Sequence, residues 1–107
     1  TGMSELLNYD SMLTLAMPVA LVDEVSDFLL LNPQWASGFS MIDAQGMGQG
    51  AALSSAMEKV QGRCKRKLIL VVGEQQKLLL LLEALGEIIK NSGVAYWITP
   101  ISHFGRF

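Results

Sequence analysis

The order of strand-like and helix-like segments along the 107-residue chain constrains its fold more than any single motif. Apolar residues at every second position predict strand 1 over Asp10–Met17 and strand 2 over Gly38–Ala44. Between these strands, Pro18 suits the first turn of a helix, and Asn32-Pro33 ends that helix. Its apolar residues recur at helical spacing: Leu21, Val22, Val25, Phe28 and Leu29.

The second half of the chain has the same layout. A run of apolar and β-branched residues predicts strand 3 over Leu68–Val72, and alternation predicts strand 4 over Val94–Pro100. Between them the sequence predicts a helix from Glu74 to Asn91, with Gly93 as its C-terminal cap. The apolar stripe of this helix is wider than one sheet face requires: Leu78, Leu79, Leu80, Leu81, Leu82, Leu85, Ile88 and Ile89.

The predicted order is strand, helix, strand, long loop, strand, helix, strand. Its economical packing is a four-stranded antiparallel sheet with two helices on one face, the ferredoxin-like βαββαβ fold of the α+β class. Adjacent strand residues face opposite sides of a sheet, so we expect Trp97 to point away from Tyr96. At least one large aromatic side chain is therefore expected on the face without helices, which another subunit commonly covers.

The length of the chain predicts one domain. Residues 1–9 are interpreted as a tag scar and an irregular lead-in, with Thr1-Gly2 left from cloning and Met3 as the natural start. Residues 10–107 are the predicted folded domain. Half of the residues are hydrophobic and 17% are charged, where about 25% charged is typical. This composition favours an oligomer over a monomer with a dense core.

Charge and cysteine content narrow the classes of function. The formal net charge of −2 disfavours nucleic acid as a partner. Cys64 is the only cysteine, so no disulfide can form within the chain, which fits a reducing compartment. No stretch approaches the ~18 apolar residues of a membrane span, and the start lacks the features of a signal peptide. We therefore expect a cytoplasmic protein that is not embedded in a membrane.

The stretch between strands 2 and 3, residues 45–62, is the strongest functional candidate. It holds four of the ten glycines and is too long for a hairpin turn. Long loops in compact domains are commonly functional or disordered. Whether residues 51–60 form a short helix is left open by the pattern. The predicted effector or partner residues in this loop are Gly46, Met47, Gly48 and Gly50.

Four of the eight basic residues lie within five positions, at 63 and 65–67. Arginine and lysine at a strand entry can bind a phosphate or an acidic partner, and Arg63, Lys65 and Arg66 are the candidates. If the strand has already begun here, alternation places Arg66 on the opposite face from Arg63 and Lys65. The alternative is a solvated strand end whose charges discourage edge pairing.

Metal ligands and catalytic groups are sparse. His103 and Cys64 are the candidate metal ligands, but no spacing within one chain matches a transition-metal site. An oligomer could bring together three copies of His103, or combine it with Met47 or Cys64 of a neighbour. The alternative is an ordinary surface histidine. No third group is evident to orient a nucleophile and a base, so we predict that the protein is not an enzyme.

Several segments together resemble PII-like proteins. Strand 2, the glycine-rich stretch and Val60-Gln61-Gly62-Arg63 leading into strand 3 carry the first part of this resemblance. The closing Tyr96-Trp97-Ile98-Thr99-Pro100-Ile101, followed by Gly105-Arg106-Phe107, is similar to one small bacterial branch of that family, related to PII nitrogen regulators and CutA-type proteins. The resemblance covers residues 10–107.

The resemblance implies a homotrimer whose sheets face inward and whose long loop changes shape with a ligand and contacts a target, such as a membrane transporter. It implies an adenine nucleotide as an effector in clefts between subunits. Some relatives are linked instead to metals, which implies as an alternative a metal-binding module for copper, zinc or nickel efflux or tolerance. Two departures stand out. The loop has no tyrosine to be modified, and the glycine- and lysine-rich nucleotide loop is replaced by residues 71–76, which offer one glycine and one acid.

Overall fold

The computed structural model describes residues 9–47 and 63–107, and for residues 46, 47, 63 and 64 it describes the backbone. The predicted order of elements is confirmed. A single 3-10 turn, Val19–Leu21, leads into the first helix. The elements are β1 (Ser11–Pro18), α1 (Val22–Leu30), β2 (Ser40–Met47), β3 (Arg63–Gly73), α2 (Gln75–Ile88) and β4 (Ala95–Pro100).

The four strands form one antiparallel sheet in the order β2-β3-β1-β4. This is the predicted ferredoxin-like arrangement, in which the first and third strands are central. Ser11 of β1 lies opposite Gly73 of β3 and also opposite Pro100 of β4. That register aligns the start of β1 with the ends of β3 and β4, and it makes β2 and β4 the two edges of the sheet.

The core lies between the sheet and the two helices. Leu13, Leu15 and Met17, at alternate positions of β1, are fully buried, as are Ile69 and Val71 of β3. One cluster joins them to the buried helix residues, so both helices cover the same face of the sheet. The helix residues of the cluster are Val22, Val25, Leu29, Leu78, Leu81 and Leu85.

None of the helices in the described part of the chain is long and apolar enough to cross a membrane.

The other face of the sheet carries apolar side chains and no helix among the described residues. The register places Trp97 opposite Thr14, whereas Tyr96 lies opposite Leu15 on the helix face. The prediction that the two aromatic residues face opposite sides is therefore confirmed. Trp97 and Ile42 are each 46% exposed. We call this surface the open face; it comprises Met12, Thr14, Ala16, Ser40, Ile42, Ala44, Arg66, Leu68, Leu70, Val72, Ala95, Trp97 and Thr99.

The second helix is shorter than the predicted Glu74–Asn91. Glu74 has extended backbone angles and serves as the N-cap of α2. At the other end Ile89 leaves the helical region, and Asn91 takes a positive φ of 59°. Gly93, predicted as the cap, has a φ of 77° but lies in the turn towards β4. The helix ends early because the chain must reverse direction within a few residues to pair β4 with β1.

The strands beside the predicted loop are longer than their apolar patterns. Strand 2 was predicted over residues 38–44 and spans Ser40–Met47, and strand 3 was predicted over 68–72 and spans Arg63–Gly73. The predicted loop 45–62 is therefore wrong at its start, because residues 45–47 belong to β2. Apolar alternation marks only the parts of a strand that face a core, whereas main-chain pairing continues without it. Residues 48–62, including the possible helix at 51–60, lie outside the described residues.

Two glycines provide a matched test of the backbone around α2. Gly86 lies inside α2, and a methyl group there would meet no atom within 4 Å. We expect Gly86→Ala to raise the free energy of unfolding by about 0.5–1 kcal/mol, since glycine weakens a helix interior by that amount. Gly93→Ala should lower it by about 1–2 kcal/mol, because an alanine resists a φ of 77°. Urea unfolding followed by circular dichroism measures both, and changes of the same sign would contradict these backbone conformations.

Candidate functional site

The ladder between β2 and β3 continues past the end of β1. Pro18, the last residue of β1, lies opposite Arg66, but β2 pairs with β3 as far as Met47 opposite Arg63. Among the described residues, the part of β3 that precedes Arg66, residues 63–65, therefore pairs with β2 alone. The two strands form a ribbon at this end of the sheet, and residues 48–62 connect its two tips. We use "the ribbon" for residues 45–47 and 63–65.

The predicted loop residues divide between the ribbon and the undescribed segment. Gly46 lies opposite Cys64, and Met47 lies opposite Arg63, so both are strand positions rather than loop positions. Gly48 and Gly50 lie outside the described residues. The strands of the ribbon therefore extend as far as Met47 and begin again at Arg63. The composition of the chain did not indicate these limits.

The basic run lies inside β3, and its side chains separate onto two faces. Lys67 pairs with the Asp43 carboxylate of β2. Lys65 lies on the same face, is exposed and has no ion-pair partner among the described residues. Arg66 lies on the open face instead. Arg63 is paired through its backbone at the tip of the ribbon. The structure therefore brings Arg63 and Lys65 together on the ribbon and separates Arg66 from them.

Arg66 is the one charged residue of the open face. Its register partners are Ala44 on β2 and Pro18 on β1, and Leu68 follows it on the same face of β3. Only 9% of its surface is exposed. A buried arginine is uncommon unless an anion accompanies it. Alternation within the basic run already indicated its direction, but its burial depends on the pairing of three strands.

The two candidate metal ligands are far apart within one copy. Cys64 lies in the ribbon near the start of β3, and His103 is an exposed residue that follows the end of β4. Ser11 lies between Gly73 and Pro100, so β3 and β4 finish at the same end of the sheet. At ~3.3 Å per residue, the end of β3 is roughly 30 Å from Cys64. No group of three or more His, Cys, Asp or Glu able to hold a metal occurs in the described part of the chain.

A cavity that the sequence did not indicate lies between α2 and β4. Its volume is about 240 Å³, and its lining is largely apolar, with Leu82, Leu85 and Tyr96 among its residues. Lys90 is the only charged residue in the lining. The Lys90 Nζ atom lies 3.0 Å from Glu87 Oε2, so its charge already has a partner.

A second cavity, of about 290 Å³, lies where the C-terminal tail meets the open face. The rings of Tyr9 and Phe104 meet edge to face with centroids 4.9 Å apart. The Arg106 guanidinium lies 5.6 Å from the Phe104 centroid, and the Tyr9 hydroxyl hydrogen-bonds with Ser37 Oγ at 2.8 Å. Phe104 and Arg106 line this cavity together with Leu70 and Val72 of the open face, a position for Arg106 that the sequence did not indicate.

Comparison with solved structures confirms the fold. A DUF3240 family protein from Shewanella baltica OS155 is 22% identical with a TM-score of 0.73, over 92% of this chain and 97% of that chain. CPII from Thiomonas intermedia K12, a nitrogen regulatory PII-like protein bound to ADP, AMP and bicarbonate, is 15% identical with a TM-score of 0.67, over 91% and 93%. The periplasmic divalent cation tolerance protein CutA from Archaeoglobus fulgidus is 8% identical with a TM-score of 0.68, over 91% and 88%.

At these identities the likeness establishes the fold, which PII-like proteins and CutA share with this chain. Comparison with curated protein sequences gave no match. The sequence model of one family, described as "Protein of unknown function (DUF3240)", matches residues 8–107. That match spans every described strand and helix, and the chain therefore belongs to the DUF3240 family.

Proposed function

We propose that this protein is a regulatory homotrimer of PII-like type. It binds a small effector in clefts between subunits and contacts a target, a membrane transporter, through residues 45–62. The observation that carries the proposal is the open face, an apolar sheet surface that the chain's own helices leave uncovered. Light scattering on the purified protein tests the assembly directly, with three times the 11.7 kDa chain mass as the expected result.

The open face has the character of a subunit interface. Leu68, Leu70 and Val72 of β3 are half-buried across its centre, and Ile42 and Trp97 are 46% exposed towards its two edges. Exposed apolar surface of this kind is costly in water and marks an interaction site. A closed homo-oligomer covers the same surface on every copy, which makes it the economical occupant of this face.

The ribbon supplies the charges for an effector or target. Lys65 is exposed at its base, and Arg63 lies at its tip opposite Met47. Both belong to the segment that we propose contacts phosphate groups or an acidic partner. Gly46, Gly48 and Gly50 are proposed to let residues 45–62 change conformation when the effector binds, which is a shift of population between states. Met47 is proposed as a contact for the effector or the target.

An adenine nucleotide is the proposed effector, because CPII shares the fold and its solved structure contains ADP and AMP. In a thermal-shift assay, ADP at 100 times its dissociation constant stabilises by about 2.7 kcal/mol. That corresponds to a rise of roughly 10 °C or more in the unfolding midpoint of a domain of this size. Lys65→Met should reduce the rise, whereas Lys77→Met should not, because Lys77 lies in α2 just after the end of β3 that is opposite to the ribbon. An unchanged midpoint with every adenine nucleotide would contradict this part of the proposal.

A metal-binding module linked to copper, zinc or nickel tolerance is the second candidate. The fold shared with CutA, a divalent cation tolerance protein by name, favours it. Because Cys64 lies near the start of β3 and His103 follows the end of β4, at the opposite end of the sheet in one copy, a shared site requires ligands from different copies. The same assay with the three metal ions tests it: a metal-dependent rise should disappear in Cys64→Ser/His103→Ala. A rise that survives the double substitution would exclude these two ligands.

The proposal is of a cytoplasmic binding protein rather than an enzyme. Cys64 as the only cysteine suits a reducing compartment. His103 is exposed in the tail and lies far from Cys64, so the two do not form a nucleophile and base pair within one copy. Secretion of the native protein into the periplasm, measured by cell fractionation, would contradict the proposed location.

A further inference from the structure

Arg66 is a largely buried cation, and no acidic side chain of the described residues pairs with it. Its side chain is 9% exposed. Within residues 9–47 and 63–107 no carboxylate pairs with it, and its guanidinium donates no hydrogen bond. The described ion pairs use Lys67, Lys77 and Lys90 instead. Every fully buried side-chain nitrogen or oxygen of the described residues has a hydrogen-bond partner, so the Arg66 guanidinium, which has none, still contacts solvent in a single copy. Covering the open face in an assembly would remove this charge from water, which is costly unless an anion accompanies it.

The open face offers no carboxylate to supply that anion. None of its described residues is an aspartate or a glutamate. Asp43 is next to Ala44, the register partner of Arg66, but it faces the other side of the sheet and pairs with Lys67. A second copy that covers this surface with its own open face brings another Arg66 and no acid. Assembly through this face therefore increases the need for a counter-ion from solution.

We propose that Arg66 binds a small oxyanion of the phosphate or carboxylate class, held on the open face between copies of the chain. Guanidinium is suited to this task because its donors form a planar fork that grips two oxygens at once. The apolar neighbours Ala44, Pro18 and Leu68 are half-buried, and a second copy that covers them would exclude water and so strengthen such a pair. The location between copies rests on the proposed homotrimer, whereas the anion site on Arg66 does not.

This site is separate from the ribbon. Lys65 is adjacent in sequence but faces the opposite side of the sheet and is exposed. An effector phosphate at Lys65 and a small anion at Arg66 therefore occupy different surfaces. The Lys65 site would respond to nucleotide. The Arg66 site would make assembly depend on the concentration of the small anion in solution.

The test titrates the full chain with millimolar sodium phosphate, and in separate arms with bicarbonate and acetate, in chloride buffer at constant pH and ionic strength. We expect the wild-type unfolding midpoint to rise by about 5 °C or more at saturation in at least one arm. Arg66→Met should abolish that rise. Replacing an unpaired buried charge with an apolar residue of similar length is expected to leave the fold intact or more stable. The matched control is Lys77→Met, which removes one positive charge from the exposed surface of α2 and should keep the rise.

Arg66→Lys provides a second variant, because it keeps the charge and loses the fork. The apparent dissociation constant of the anion should increase by about tenfold or more, in line with the ~1.5–3 kcal/mol of hydrogen bonds to charged groups. The proposal is overturned if no arm shifts the wild type, or if Arg66→Met shifts as much as Lys77→Met. Light scattering in the same buffers separates the two proposals. If the protein is a monomer and its rise in unfolding midpoint requires Arg66, the anion site is upheld and the homotrimer is rejected. If the protein is a trimer whose mass changes neither with the anion nor with Arg66→Met, the location of the site between copies is rejected.

Discussion

Leu81→Ala should lower the free energy of unfolding by about 2–5 kcal/mol, the usual result of truncating a buried leucine. Leu81 is fully buried in α2 and belongs to the cluster between the helices and the sheet. The substitution removes apolar contacts and leaves a cavity that a packed core closes only in part. Because small domains have a total stability of about 5–15 kcal/mol, this single change consumes a large fraction of it.

Leu80→Ala is the matched control, because it makes the same chemical change one residue earlier in the same helix. Leu80 is 50% exposed, so its truncation should cost less than about 1 kcal/mol. Urea unfolding of both variants at one fixed protein concentration measures the difference, since the stability of an oligomer depends on concentration. Equal losses would show that the face of α2 assigned to the core is wrong.

Leu70→Glu should convert the proposed homotrimer into monomers. Leu70 lies at the centre of the open face, opposite Thr14 on one side and Ser40 on the other. A carboxylate buried there without a partner costs several kcal/mol, and the cost recurs in every copy. Each 1.4 kcal/mol weakens association tenfold, so the shift towards monomer at a given concentration should exceed about a hundredfold.

Leu79→Glu tests the alternative surface with the same substitution. Leu79 is 51% exposed on α2, away from the open face, and its replacement should leave the oligomer intact. Sedimentation equilibrium gives the mass of both variants, and circular dichroism confirms that each is folded. A trimeric Leu70→Glu variant would remove the open face as the interface, and a monomeric Leu79→Glu variant would assign that role to the helices.

The alternation in β1 predicted which side chains enter the core. Leu13, Leu15 and Met17 recur at every second position, and all three are fully buried in the cluster beneath the helices. Thr14 and Ala16 on the other face are buried too, which the alternation did not predict. Likewise, opposite faces for Tyr96 and Trp97 followed from their adjacency in a strand. These features were predictable because side-chain direction in a strand depends only on the local backbone.

The limits of the elements were less predictable. The ribbon continues through Gly46 and Met47 of β2 and through the basic start of β3, where no apolar pattern marks a strand. Its strands persist because main-chain hydrogen bonds join them, and those bonds require a partner strand that no local pattern reveals. The early end of α2, at Ile88 instead of Asn91, likewise follows from the return of the chain to β4.

The candidate site shows the same division. The sequence identified Arg63, Lys65 and Arg66 as one basic group, and the structure assigns Arg66 to a separate, buried position on the open face. The sequence also indicated Cys64 and His103 as possible metal ligands. The strand register shows that these two residues lie at opposite ends of the sheet.

Local periodicity and the need to cover apolar side chains were therefore enough to predict the order of elements, the fold class and the side chains of β1 that face the helices. The extension of β2 and β3 into a ribbon became visible only in three dimensions, as did the burial of Arg66 with no acid of the described residues beside it. Both depend on the pairing of strands distant in the chain, where the neighbours of a residue are set by register rather than by sequence position.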